Sequence, residues 1–84
     1  MNLYGVKTYY GPDNLPAGLD GLYETLETAR FAVENNVGDL SENGTNHTVC
    51  IIRMTLGLYP EGEVIAQYKW LPITERYVEI PIEN

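Results

Sequence analysis

Apolar and polar residues alternate with a period of two over most of this chain. Tyr4, Val6, Thr8 and Tyr10 share one face of an extended segment over 3–10. Leu3, Gly5, Lys7 and Tyr9 share the other, and the β-branched and aromatic content favours a strand. Over 48–59, Cys50, Ile52, Met54, Leu56 and Leu58 form an apolar face, and Val49, Ile51, Arg53 and Thr55 a mixed one. Tyr59-Pro60-Glu61-Gly62 suits a type I turn. Residues 63–70 alternate again, so 48–70 reads as a β-hairpin. A last strand is expected over 75–82, with Arg76, Val78, Ile80 and Ile82 on one face. Glu75, Tyr77, Glu79, Pro81 and Glu83 lie on the other, and Pro81 points to a sheet edge.

The period changes to that of a helix only once. Leu26, Ala29 and Val33 fall on one face of a helix expected over about 26–36. Thr25 is its expected N-cap and Gly38 its stop. Residues 11–18, GPDNLPAG, read as turn chemistry forming a long loop. Residues 21–24 read as a short strand or an extended entry to the helix, and 38–47 as a polar loop. The expected fold is α+β: a small antiparallel sheet of four to five strands with one α-helix packed on one face. The whole chain, 1–84, is expected to be a single domain.

Composition narrows the function. Twelve acids face five bases, for a net charge of −7 over 84 residues. A chain so acidic is repelled by phosphate backbones and anionic bilayers, so neither direct nucleic-acid binding nor membrane binding is expected. No signal peptide is visible and no apolar run reaches a membrane span, which makes the cytoplasm the expected compartment. That means the host cytoplasm if the chain is phage-encoded. One cysteine, Cys50, allows no internal disulfide.

Catalytic constellations are missing. His47 and Cys50 are the chain's lone residues of their kinds, too few for a metal site of convergent ligands. Ser41, beside Glu42 and in the same loop as His47, lacks the rigid support a nucleophile needs. Glu61 and Glu63 flank a hairpin turn, where solvated charges are ordinary. No phosphate-cradling glycine motif occurs. No enzyme activity, no metal and no cofactor is expected.

Two surfaces stand out. Glu75, Tyr77, Glu79 and Glu83 form a stripe on the last strand, with residues four apart separated by about 13 Å. Such a stripe fits a partner protein with a basic surface; it equally serves to guard an exposed sheet edge. The seven tyrosines are the second feature, since so small a core cannot bury them all. Tyr9, Arg53, Tyr68 and Trp70 form the alternative ligand set, in which aromatic rings stack on a small nucleotide and an arginine meets its phosphate. The same tyrosines fit a homo-oligomer interface.

The run Gly21-Leu22-Tyr23-Glu24-Thr25-Leu26-Glu27-Thr28-Ala29 resembles a "GVYSS-x-x-x-A" segment of small uncharacterised phage and bacterial proteins. In those proteins a strand and a polar loop precede the segment, and a helix and a further strand follow it. The resemblance covers Leu3–Asn36 and Val49–Leu58, with Glu24-Thr25 where the pattern has a hydroxyl pair. It implies a fold and a phage or bacterial origin. The expected function is that of a non-enzymatic phage-type accessory protein. It would bind and inhibit a host protein, such as a nucleic-acid-handling immune (anti-CRISPR-like) complex, through the acidic and aromatic stripe. The alternative is an oligomeric binder that sequesters a nucleotide immune signal.

Overall fold

A computed structural model of the chain describes residues 2–55 and 62–82. Five strands, β1 (Asn2–Tyr10), β2 (Leu15–Tyr23), β3 (Asn46–Thr55), β4 (Gly62–Leu71) and β5 (Arg76–Ile80), form one sheet. The spatial order is β2-β1-β3-β4-β5 and all pairs are antiparallel. The one helix among the described residues, α1 (Leu26–Glu34), lies between β2 and β3 in sequence and packs on one side of the sheet. The turn expected at 59–62, Leu56 and Leu58, and Glu61 and Glu83 fall in whole or in part outside the described residues.

The α+β class expected from the alternation is corrected. The described residues are 57% strand and 12% helix, which makes the fold sheet-dominated. The reason lies largely in residues 15–23. Residues 15–18 read as turn and loop because Pro16 and Gly18 interrupt them, and 21–24 as a short strand or an extended entry to the helix, yet 15–23 form one nine-residue strand. β2 is an edge strand, paired only with β1, so an edge position without a ladder hydrogen bond tolerates proline. The register shifts twice along this pair, between Val6 and Lys7 and between Thr8 and Tyr9. Such bulges twist an edge away from further pairing.

α1 begins at Thr25, whose backbone is extended and whose Oγ1 accepts the N–H of Thr28 at 3.1 Å. Its end is set by Asn36 rather than Gly38. Asn36 adopts φ 47°, its N–H donates to Val33 O, and the N–H of Val37 donates to Ala32 O. That is the paired hydrogen bonding of a left-handed helix stop, which asparagine tolerates. Ala29, Ala32 and Val33 are the buried helix residues. With Val6, Val49, Ile51, Ala66, Tyr68 and Tyr77, the first and last of them form the core. Thus α1 covers the mixed face of β3, Val49 and Ile51, and leaves the more apolar face of Cys50, Ile52 and Met54 to the other side.

Buried phenols give the fold a pH dependence. Burial pushes the Tyr77 hydroxyl far above its ordinary range, with Asp39, Asp20 and Glu42 adding to the effect. Burial also raises Tyr68, against the opposing pull of Arg30, and raises Tyr9 and the Cys50 thiol. The neutral forms are the ones the fold accepts, so unfolding favours proton loss. Their stabilisation is complete below the unfolded values, about 10 for tyrosine and 8.5 for cysteine. It is lost as pH rises above them toward the folded values. Stability should hold from neutral pH to about pH 8.5 and then fall, the melting temperature with it, the loss reaching about 1.4 kcal/mol per pH unit for each buried phenol once pH passes about 10. Thermal melts across alkaline pH, read beside the tyrosinate absorbance, check this.

Candidate functional site: a cleft between the helix-to-strand loop and Trp70

The loop from α1 to β3 is shaped by left-handed backbone. Asn36, Gly38, Asp39, Glu42, Asn43 and Gly44 all have positive φ. Asparagine, aspartate and glycine adopt this region at low cost, and the run is rich in them. Glu42 at φ 46° is the exception and carries strain. It is held by its own N–H donating to Asp39 O and by Thr45, whose N–H and Oγ1 both donate to Glu42 O.

Ser41 is the hub of this loop and is buried. Its N–H donates to Asn36 Oδ1 at 2.9 Å, and its Oγ donates to Asp39 Oδ1 at 3.0 Å. The same Oγ accepts from Asn36 Nδ2 at 3.2 Å and from Gly44 N–H at 3.3 Å. Ser41 is therefore engaged in holding loop geometry, and neither Glu42 nor His47 is bonded to it. Asn46, also buried, donates from Nδ2 to Leu40 O at 2.7 Å, and its carbonyl accepts from Tyr77 Oη at 2.6 Å. These bonds fasten the loop to β5.

Between this loop and the β4–β5 turn lies an open cleft of about 490 Å³, lined by Asn36, Asp39, Ser41, Asn43, Gly44, Trp70, Pro72 and Glu75. Trp70 forms its aromatic wall. The indole stands edge-on to Tyr77, with ring centroids 5.0 Å apart and planes at 66°. A side chain at Gly44 would bring its Cβ within 3.2 Å of Trp70 Nε1, on a backbone at φ 83°. Glycine here lets the loop approach the indole. Asp39 and Glu75, both exposed, supply carboxylates on the two rims. Asp39 is oriented by Ser41 through one oxygen and keeps a second. Glu75 sits in the β4–β5 turn at φ 53°, its N–H donating to Leu71 O at 2.8 Å.

The residues singled out from sequence separate in space. Tyr77 is 4% exposed and belongs to the core beneath Trp70, so its ring offers nothing to a partner. Glu79 accepts from Arg30 Nη1 of α1 at 2.6 Å, and the same guanidinium donates to Tyr68 Oη at 3.0 Å. With both partners substantially exposed, that ion pair is worth under about 1 kcal/mol. Of the described stripe residues, Glu75 alone lines the cleft beside Trp70. The alternative set is also dispersed. Tyr68 is buried under the helix, while Tyr9 sits on the opposite sheet face. Arg53 pairs with Glu63 toward the other end of β3, five residues from the Thr48 that pairs with Tyr9 and so about 17 Å away. Trp70 is the one member of that set in the cleft. Asp39, Asn43 and Gly44 were missed because the loop reads as generic polar sequence. Its one signal is the density of Asn, Asp and Gly, which licenses a tightly wound left-handed backbone.

Among the described residues no three His, Cys, Asp or Glu side chains converge as metal ligands, and no helix is long and apolar enough to cross a membrane. Scans of protein-family models, of curated proteins and of solved structures each return no match to this chain.

Proposed function

We propose that this chain is a non-enzymatic protein-binding module that captures a cationic side chain of a basic partner in the cleft beside Trp70. The observation that carries this is the pairing of one aromatic wall with carboxylates on both rims. A guanidinium or ammonium placed there meets the indole face, which is worth about 0.5–2 kcal/mol. It also meets carboxylate oxygens in charge-assisted hydrogen bonds, each worth about 1.5–3 kcal/mol. Arginine fits best, because its planar group both stacks and forks. The charge of −7 speeds encounter with a basic surface and repels nucleic acid from the same site. If the partner is a nucleic-acid-handling protein of a host, occupancy of its basic groove inhibits it by competition. The acidic surface expected from the sequence is thereby moved from the β5 stripe to the cleft, with Glu75 in common.

Trp70 is the sole tryptophan, so its fluorescence reports on the cleft directly. Titration with an arginine-rich peptide should change that emission saturably, whereas a glutamate-rich peptide should leave it flat. Asp39→Asn with Glu75→Gln should weaken the arginine-rich peptide at least tenfold, about 1.4 kcal/mol. Glu24→Gln with Glu27→Gln removes the same charge elsewhere and should leave binding within twofold. Equal losses in both double variants would mean diffuse charge attraction and would sink the proposal. So would an unresponsive Trp70.

A further inference from the structure

The sheet has a second face, and among the described residues no layer covers it. Strand register places Leu3, Gly5, Lys7 and Tyr9 of β1 there, next to Leu19 and Leu22 of β2 and to Thr48, Cys50, Ile52 and Met54 of β3. Val64, Gln67, Lys69 and Leu71 of β4 and Arg76, Val78 and Ile80 of β5 complete it. Two properties distinguish this face. It is apolar, with Leu22 54%, Leu19 44% and Val78 44% exposed along its edge strands, while Cys50, Ile52 and Met54 in its middle are buried by the side chains beside them. And among the described residues no acid occupies any of its strand positions, while three of the chain's five cations do: Lys7, Lys69 and Arg76. Gly5 makes the middle of the face smooth. With no Cβ there, Leu19, Met54 and Ile52 close to within 3.0–3.2 Å of where it would stand.

The complement of this surface is present on the same chain. The outward side of α1 carries Phe31, 62% exposed, one turn from Glu27 and from Glu34, both exposed. It is an apolar residue between acids, facing solvent on the other side of the molecule.

We propose that the open sheet face is a self-association surface and that its occupant is the outward side of α1 from a second copy. Charge selects this pairing over the symmetric ones. Sheet face on sheet face would bring two sets of Lys7, Lys69 and Arg76 together with no acid between them. Helix on helix would oppose Glu27 and Glu34 with themselves. Only helix on sheet pairs acids with cations and seats Phe31 on apolar surface. Size agrees as well. Five strands make a face about 20 Å wide, and a nine-residue helix is about 13.5 Å long. The sheet already carries one such helix on its covered side. The contact is heterologous, so copies add head to tail into a ring or an open chain. The area is below that of a permanent dimer, so the association is weak and concentration-dependent.

Sedimentation velocity over a range of concentrations, with native mass spectrometry, tests this through two variants. Glu27→Gln/Phe31→Ser/Glu34→Gln removes the helix surface and keeps the sheet surface. Lys7→Gln/Lys69→Gln/Val78→Ser does the reverse. Far-ultraviolet circular dichroism confirms that both fold. Wild-type chain should assemble by mass action and weaken at least tenfold at high salt. Each variant alone should remain monomeric, and an equimolar mixture should form a one-to-one complex and stop. A wild-type chain that stays monomeric at every concentration overturns the proposal, including the case in which it instead binds an unrelated acidic protein. A mixture that stays monomeric while wild type assembles overturns it too. Neither result bears on the Trp70 cleft, which none of these substitutions touches.

Discussion

Replacing Ile51 by alanine is expected to cost about 3 kcal/mol of stability, the centre of the range for emptying a buried isoleucine. Ile51 has no exposed surface and lies at the middle of β3, between Val6 of β1 and Ala66 of β4, under α1. No neighbour is free to collapse into the space, because strands on both sides are pinned by their ladders. A chain of 84 residues has a total stability of about 4–12 kcal/mol. The loss is therefore a quarter of it or more. Urea denaturation should show a lower midpoint with an unchanged slope. Ile52→Ala is the informative companion. Its side chain is also buried, at 7% exposed, but under side chains of the open face that can collapse into the space, so a smaller loss of about 2 kcal/mol is expected. Equal losses at the two positions would mean that a second layer covers both faces.

Tyr77→Ala should be comparably severe, at about 3 kcal/mol, since it removes a buried ring from the end of the core. Three effects combine at this position. The ring packs against the core, its edge contact with Trp70 is lost, and the Asn46 carbonyl loses the hydroxyl that donates to it. Tyr77→Phe isolates the last of these and should cost about 1–2 kcal/mol, the penalty for a buried acceptor left without its donor. Tyr77→Ala should also shift Trp70 emission, because the indole stands edge-on to this ring, whereas Tyr77→Phe keeps the ring and should shift it little. Were Tyr77 a surface residue of an acidic stripe, both substitutions would fall within about 0.5 kcal/mol of neutral. Equilibrium unfolding of the two variants decides the matter.

Tyr77 also shows where sequence reasoning loses its hold. Alternation places it correctly on a face with Glu75 and Glu79, but alternation cannot say which face is covered. A strand flanked by glutamates reads as solvated on the glutamate side. In the folded chain the acids sit at the margins, Glu75 in the turn and Glu79 reaching Arg30, and the tyrosine between them is under the helix. The same ambiguity operates on β3. Cys50, Ile52 and Met54 look like the core face, being uniformly apolar. The helix instead lies over Val49 and Ile51. β2 was legible only at its end, over 21–23, for a different reason. Proline and glycine forbid a central strand and say little about an edge strand, and edge position is a property of the sheet.

From sequence alone come the period-two segments, the helix with its Thr25 cap and the acidic charge. These depend on residues close together in the chain, where backbone geometry and side-chain type act directly. Tertiary structure decided which sheet face α1 covers, that residues 15–23 pair as an edge, and that a loop of left-handed turns meets Trp70 and Glu75. It also decided that, among the described residues, the acids lie off one face of the sheet. Each of these sets residues distant in sequence side by side, and their positions follow from burial and pairing summed over the whole chain.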